Sequence, residues 1–148
     1  GFERIRRRLE AAVCDTLYDQ RQGTTDSELF FLLMLEEGLD ADPQGAVARA
    51  ARRVIEASEA AGMAASFKLT AAFSDGENLF AVRYATDAHA PTLYTRDGAT
   101  GRCIVSEPFD REGESWQAVP PSSFVTVTRQ GTTVSPFEPA SAQLAMAG

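Results

Sequence analysis

Few residues in this chain combine a reactive side chain with a local pattern that could support chemistry: Thr25-Asp26-Ser27-Glu28, His89, Glu107, Cys14 and Cys103. A hydrolytic triad needs a nucleophile, a base and an orienting group within hydrogen-bond reach. His89, the only histidine, lies in Asp87-Ala88-His89-Ala90-Pro91 with no nucleophile-elbow sequence nearby, and it reads as an incidental loop residue. One histidine and two distant cysteines cannot make a usual zinc set, no Asp-rich calcium loop is present, and no cofactor motif appears. Glu107, in Ser106-Glu107-Pro108, fits either a buried carboxylate beside an apolar run or, as preferred here, a strand-end turn. Cys14 and Cys103 read as small buried hydrophobes rather than nucleophiles. Asp26 would be stabilised in the first turn of a helix by backbone amides and the helix dipole, whatever else it does.

The elements that must position these residues come from one chain of 148 residues, 44% hydrophobic, with 14 Lys+Arg against 21 Asp+Glu. A chain of this length buries roughly 68–70% of its unfolded surface, enough for one domain with a real core. The net charge of −7 argues against nucleic acid as a main partner. Arg4, Arg6, Arg7 and Arg8 are read as a solvated helix face. The longest apolar run, Leu29 to Leu35, is far short of the roughly 18 residues of a membrane span. No secretory signal or disulfide framework is visible, so a reduced, cytoplasmic setting is expected, with no membrane partner.

Phe2, Ile5, Leu9, Val13 and Leu17 recur at helical spacing and predict one helix to about Gln22, closed by a left-handed Gly23. Thr25-Asp26-Ser27-Glu28 fits a capping box, in which the Glu reaches back to the cap amide, and predicts a helix from near Ser27. Its seven consecutive apolar residues predict burial all round, and Gly38 stops it. Asp42 and Pro43 open a third helix to about Ala61. Val47, Ala50, Ala51, Val54 and Ile55 form its core face, with Arg49, Arg52, Arg53 and Glu56 largely outside. After Gly62 the period changes to two. Phe67–Phe73 and Leu79–Ala85 flank Asp75-Gly76 as a hairpin, and further strands fit Thr92–Arg96, Cys103–Glu107, Phe124–Arg129 and Thr132–Ser135. A loop is expected over Pro108–Ser115 and a poorly ordered tail from Pro136, with 138–148 flexible. Three helices followed by strands in meander-like succession predict an α+β fold, with helices on one face of a mainly antiparallel sheet. Leu79-Phe80-Ala81-Val82 is apolar on both sides, so a further layer is needed that this chain alone need not supply.

Gly23-Thr24-Thr25-Asp26-Ser27-Glu28-Leu29-Phe30, ahead of an apolar helix, resembles the Thr/Ser-Asp-Ser/Thr-Glu signature of class II glutamine amidotransferases, which are N-terminal-nucleophile hydrolases. The segments Leu79–Ala85, Thr92-Leu93-Tyr94, Val105–Asp110 and Trp116–Pro120 resemble a branch of that family with stand-alone members acting on γ-glutamyl bonds. The likeness runs from Phe2 to about Phe137.

The resemblance implies a four-layer αββα sandwich of two antiparallel sheets packed face to face between helical layers. It also implies that residues 1–137 are the C-terminal portion of a type-2 glutamine amidotransferase domain. Asp26 matches the Asp that binds the substrate α-amino group through a charge-assisted hydrogen bond, and Thr25 and Ser27 then shape the pocket mostly through backbone. The family nucleophile is a Cys at residue one whose own α-amine is the base, whereas this chain starts with Gly1, and its sole Asn, Asn78, precedes Leu79 rather than the Gly of an Asn-Gly oxyanion pair. The resemblance therefore places the catalytic Cys, the carboxylate-binding Arg and the Asn-Gly pair on preceding sequence, with no catalytic residue, metal or cofactor in this segment. The implied partners are glutamine or a γ-glutamyl small molecule and the upstream half of the domain, with room for a homo-oligomer. Arg83, Tyr84 and Glu107 are left between lining the pocket and holding the sheet. The alternatives are a non-catalytic amino-acid-binding domain on the same fold and an interaction module using the Arg4–Arg8 helix.

Overall fold

The computed structural model describes residues 1–64, 66–110 and 115–139. Residues 111–114, within the expected loop, and 140–148, within the expected tail, lie outside them. The described chain forms helices α1 (Glu3–Glu10), α2 (Asp15–Tyr18), α3 (Asp26–Glu36) and α4 (Pro43–Ala60). Seven strands follow: β1 (Lys68–Ser74), β2 (Leu79–Ala85), β3 (Tyr94–Gly98), β4 (Gly101–Val105), β5 (Gln117–Ala118), β6 (Ser123–Val127) and β7 (Thr132–Pro136). The helices and Ser66–Glu138 make separate compact units. None of these helices is long and apolar enough to cross a membrane.

In the helical unit, α4 packs against both α1 and α3. The five residues expected on the core face of α4 are at most 6% exposed. Their small Ala side chains leave room for close helix approach, which keeps dispersion contacts dense. Asp42 caps α4 by accepting Gly45 N–H at 3.0 Å, with Pro43 in the first turn. At the end of α3, Gly38 takes φ +85° and Leu39 N–H returns to Met34 C=O at 3.1 Å, a closure that an L side chain would strain. Arg49 Nη2 donates to Glu37 C=O at 2.8 Å, so a cation sits on the carbonyl end of α3. On α1, Arg4, Arg7 and Arg8 are exposed as expected, whereas Arg6 is half-buried and donates to Glu10 at 3.0 Å.

Two helical expectations need correction. The first helix does not continue to Gln22: it ends at Glu10, and Cys14, extended at φ −66° and ψ 153°, starts the short α2. Val13 keeps its burial at 6% exposure, so the apolar spacing survives although the helix does not. The Cys14 amide is satisfied by Glu36, 22 residues on, a partner that local periodicity does not encode. Gly23 consequently is not a left-handed helix stop. Nor is α3 dry all round, because Phe31 is 42% exposed.

In the strand unit every pairing is antiparallel, and the β1–β2 hairpin forms as expected. Asp75 closes its turn, accepting Glu77 N–H at 2.9 Å and Asn78 N–H at 2.7 Å. The strands do not make one meander sheet. They make a four-stranded sheet, β1-β2-β6-β7, and a three-stranded sheet, β4-β3-β5. The chain leaves the first sheet after β2, builds the second, and returns to pair β6 with β2.

This partition answers the two-faced apolarity of β2. Ala81, Val125 and Val127 of the first sheet join Leu93, Val119 and the β4 residue Ile104 in one apolar cluster. The opposite face stacks Phe80 on Phe73 at 5.3 Å and places Phe124 beside Phe137 at 6.3 Å between ring centroids. β7 extends through Pro136 and Phe137 is 1% exposed, so order reaches past the expected start of the tail.

Candidate functional site

The signature forms the entrance to α3. Thr25 is extended at φ −78° and ψ 153°, and its Oγ1 accepts Glu28 N–H at 3.2 Å. That is half of the expected capping box. The other half differs: the Glu28 carboxylate bypasses the cap amide and accepts Gln22 N–H at 2.6 Å and Gly23 N–H at 2.8 Å. Asp26, the first residue of α3, is exposed, and among the described residues its carboxylate has no hydrogen-bond or ion-pair partner. Thr25 and Glu28 are thus occupied by structure, and Asp26 is left to act outward at the positive end of the helix.

Cys14 is exposed rather than buried, and Cys103 is half-buried. Cys14 N–H donates to Glu36 Oε2 at 3.0 Å. That backbone bond, a second from the Cys14 thiol and the nearby Arg53 guanidinium hold the Glu36 carboxyl below its ordinary range. A depressed folded-state pKa adds stability above the unfolded carboxyl range and loses it as pH falls through the folded value. Acidification below about pH 4 should therefore loosen the junction between α1 and α2, by less than about 1 kcal/mol because the pair is exposed. Urea midpoints measured across that range should fall less steeply for Glu36→Gln than for the wild type, and equal slopes would refute the assignment.

His89 is a loop residue with its side chain 84% exposed, its amide held by Asp87 Oδ1 at 2.8 Å. Glu107 is exposed at the strand end and accepts the Thr92 hydroxyl, consistent with the turn reading. Tyr84 is 8% exposed and lies edge-on to Phe137 at 5.7 Å. Arg83 holds the sheets: Nε donates to Pro91 C=O at 2.6 Å, Nη2 to Ala90 C=O at 3.2 Å and Nη1 to Val119 C=O. Among the described residues no three His, Cys, Asp or Glu side chains gather as a metal site.

One cluster has no counterpart in the sequence expectations. Asp110 accepts Arg96 Nη1 at 2.6 Å and the Trp116 indole N–H at 2.8 Å, while the Arg96 guanidinium lies 4.2 Å from the Trp116 ring centroid. Trp116 was legible only as part of a family-like segment, because nothing local links it to Arg96 twenty positions earlier. With Arg83 and the Thr92–Glu107 bond, this cluster ties together segments that lie far apart in the sequence.

The geometry defines an α+β protein with two antiparallel sheets and an outward carboxylate at a capped helix entrance. No protein-family model matches the chain, and no curated protein matches it. Among solved structures it is similar to a glutamine aminotransferase class-II domain protein from Silicibacter pomeroyi, at 41% identity and a TM-score of 0.90. The match covers 95% of this chain and 64% of that one, so the chain spans less than two thirds of its neighbour's length. The fold is glutamine amidotransferase-like, and the likeness supports the class II family to which the residues point.

Proposed function

We propose that this chain is the C-terminal portion, over residues 1–137, of a type-2 glutamine amidotransferase domain of the stand-alone γ-glutamyl amidohydrolase-like branch. In the intact protein it hydrolyses the side-chain amide of glutamine or of a γ-glutamyl compound. The observation that carries this reading is the exposed, unpartnered Asp26 at the capped start of α3 in a chain 41% identical to a class II domain protein. The four-layer αββα sandwich belongs to the same proposal, with the two sheets as its β layers.

In this mechanism Asp26 accepts hydrogen bonds from the substrate α-ammonium, which fixes the amino-acid end and leaves the scissile amide to residues on preceding sequence. The thiol of an N-terminal Cys outside this segment attacks the amide carbon. Its proton passes to the departing nitrogen, ammonia or an amine leaves, and water hydrolyses the thioester to release the acid. Thr25 contributes by capping α3, so its part in binding is to hold the backbone on which Asp26 sits.

The test is glutamate release from L-glutamine and from γ-glutamyl amides by the intact protein with a free N-terminal Cys. Hydrolysis abolished by alkylating that thiol is the expected result. Absence of hydrolysis with the Cys free would refute the enzyme assignment, and retained binding of L-glutamine would then favour a non-catalytic amino-acid-binding domain.

A further inference from the structure

Glu28 reaches further than the local pattern describes. In a reciprocal capping box, a Glu in this position returns to the amide of the cap residue. Glu28 instead passes Thr25 and takes two successive amides, Gln22 through Oε1 and Gly23 through Oε2. Hydrogen bonds to an ionised carboxylate are roughly twice as strong as neutral ones, so the loop leaves the helix only if both break. Gly23 makes room for this: a Cβ there would sit 3.1 Å from Glu28 Oε2. On the upstream side, Arg21 Nη1 donates to Glu10 Oε1 at 2.9 Å, and its guanidinium lies 4.6 Å from the Tyr18 ring centroid. The stretch from Arg21 to Gly23 is thus pinned from both sides, and Asp26 follows three residues later. No other side chain engages the Asp26 carboxylate among the described residues, so the backbone sets where the side chain starts and which rotamers carry the carboxylate outward.

We infer that Glu28 is a positioning residue for substrate recognition: by binding the Gln22 and Gly23 amides it fixes the backbone from which Asp26 presents its carboxylate to the substrate ammonium. The inference rests on the role proposed for Asp26. A purely stabilising Glu28 would change the melting temperature and leave KM alone, whereas a positioning Glu28 changes KM through Asp26.

The experiment uses the intact protein and four variants: Glu28→Gln, Glu28→Ala, Asp26→Asn and the double variant Asp26→Asn/Glu28→Ala. KM and kcat for L-glutamine are measured together with hydrogen exchange at the Gln22 and Gly23 amides. In Glu28→Ala exchange at both amides should accelerate and KM should rise about tenfold with kcat steady. Glu28→Gln, which retains one acceptor oxygen, should fall between Glu28→Ala and the wild type, and it carries the comparison if Glu28→Ala does not fold. The double variant should show the KM of Asp26→Asn alone, because a carboxylate already removed cannot be misplaced. Unchanged KM in both Glu28 variants while Asp26→Asn raises it, or penalties that add in full, would overturn the inference and leave the proposed function standing. If Asp26→Asn itself leaves KM unchanged in a protein that hydrolyses glutamine, the role of Asp26 falls and the inference falls with it, while the exchange rates still report whether Glu28 holds the loop.

Discussion

Asp26→Asn in the intact protein is expected to raise KM for L-glutamine roughly ten- to a hundredfold, with kcat changed little. The substitution keeps the volume of the side chain and keeps an oxygen near the first-turn amides, so α3 should still start where Thr25 caps it. It removes the charge that makes a hydrogen bond from an ammonium strong. The loss of favourable charge at the helix N-terminus costs about 0.3–1 kcal/mol of stability at an exposed position, too little to unfold a domain. Because the α-ammonium does not change between ground state and transition state, its partner contributes uniform binding, and the defect belongs in KM. Steady-state kinetics with a matched thermal melt separate the alternatives. An unchanged KM, or a kcat that falls with KM constant, would remove Asp26 from the substrate site.

Arg83→Met should destabilise the strand unit by about 3 kcal/mol, and Arg83→Lys by about 2 kcal/mol. Arg83 leaves β2 to donate to three carbonyls, those of Ala90 and Pro91 ahead of β3 and that of Val119 just after β5, at the end of the three-stranded sheet where β3 begins and β5 ends. A thioether of similar length keeps the stem packed but leaves those carbonyls without their donor. An ammonium keeps the charge, but it is a compact donor on a flexible stem and cannot span three acceptors as a planar guanidinium does. Trp116, the only tryptophan of the chain, sits beside β5 with its indole N–H on Asp110, so its fluorescence reports the three-stranded sheet directly. Denaturant unfolding followed at Trp116 should give the order wild type, Lys, Met. Equal stability of all three would mean that the apolar cluster around Ala81 and Val119 holds the sheets without help from Arg83.

The reach of each interaction along the chain explains what could be read before the fold was known. The ends of α3 and α4 are set by partners within five residues: Thr25 with Glu28, Asp42 with Gly45, and Gly38 with the turn behind it. The β1–β2 hairpin is equally local, because Asp75 satisfies the amides of its own turn. The core face of α4 follows from helical spacing alone, since Ala and Val at those positions have one apolar side to bury. Asp26 stood out because a short motif surrounds it.

The remaining features depended on groups far apart in sequence. The spacing of Phe2 to Leu17 picked out the buried Ile5, Leu9 and Val13, with Phe2 and Leu17 only half-buried, yet gave one helix too many turns, because the break at Cys14 is stabilised by Glu36 on another helix. Two faces of β2 could be seen to need cover, but the choice of β6 as its partner rests on a pairing about forty residues away. Glu28 matched a capping box by position, whereas its actual bonds go beyond the cap to Gln22 and Gly23, as the path of the loop allows. By itself the sequence determined the signature, the helix boundaries it caps and the α+β class, because propensity, capping and turn chemistry act over a few residues. Only the tertiary structure decided the division into two sheets, the arginine that stitches them and the pinned loop that sets Asp26 outward, because each depends on which distant backbone groups the fold brings within hydrogen-bond range.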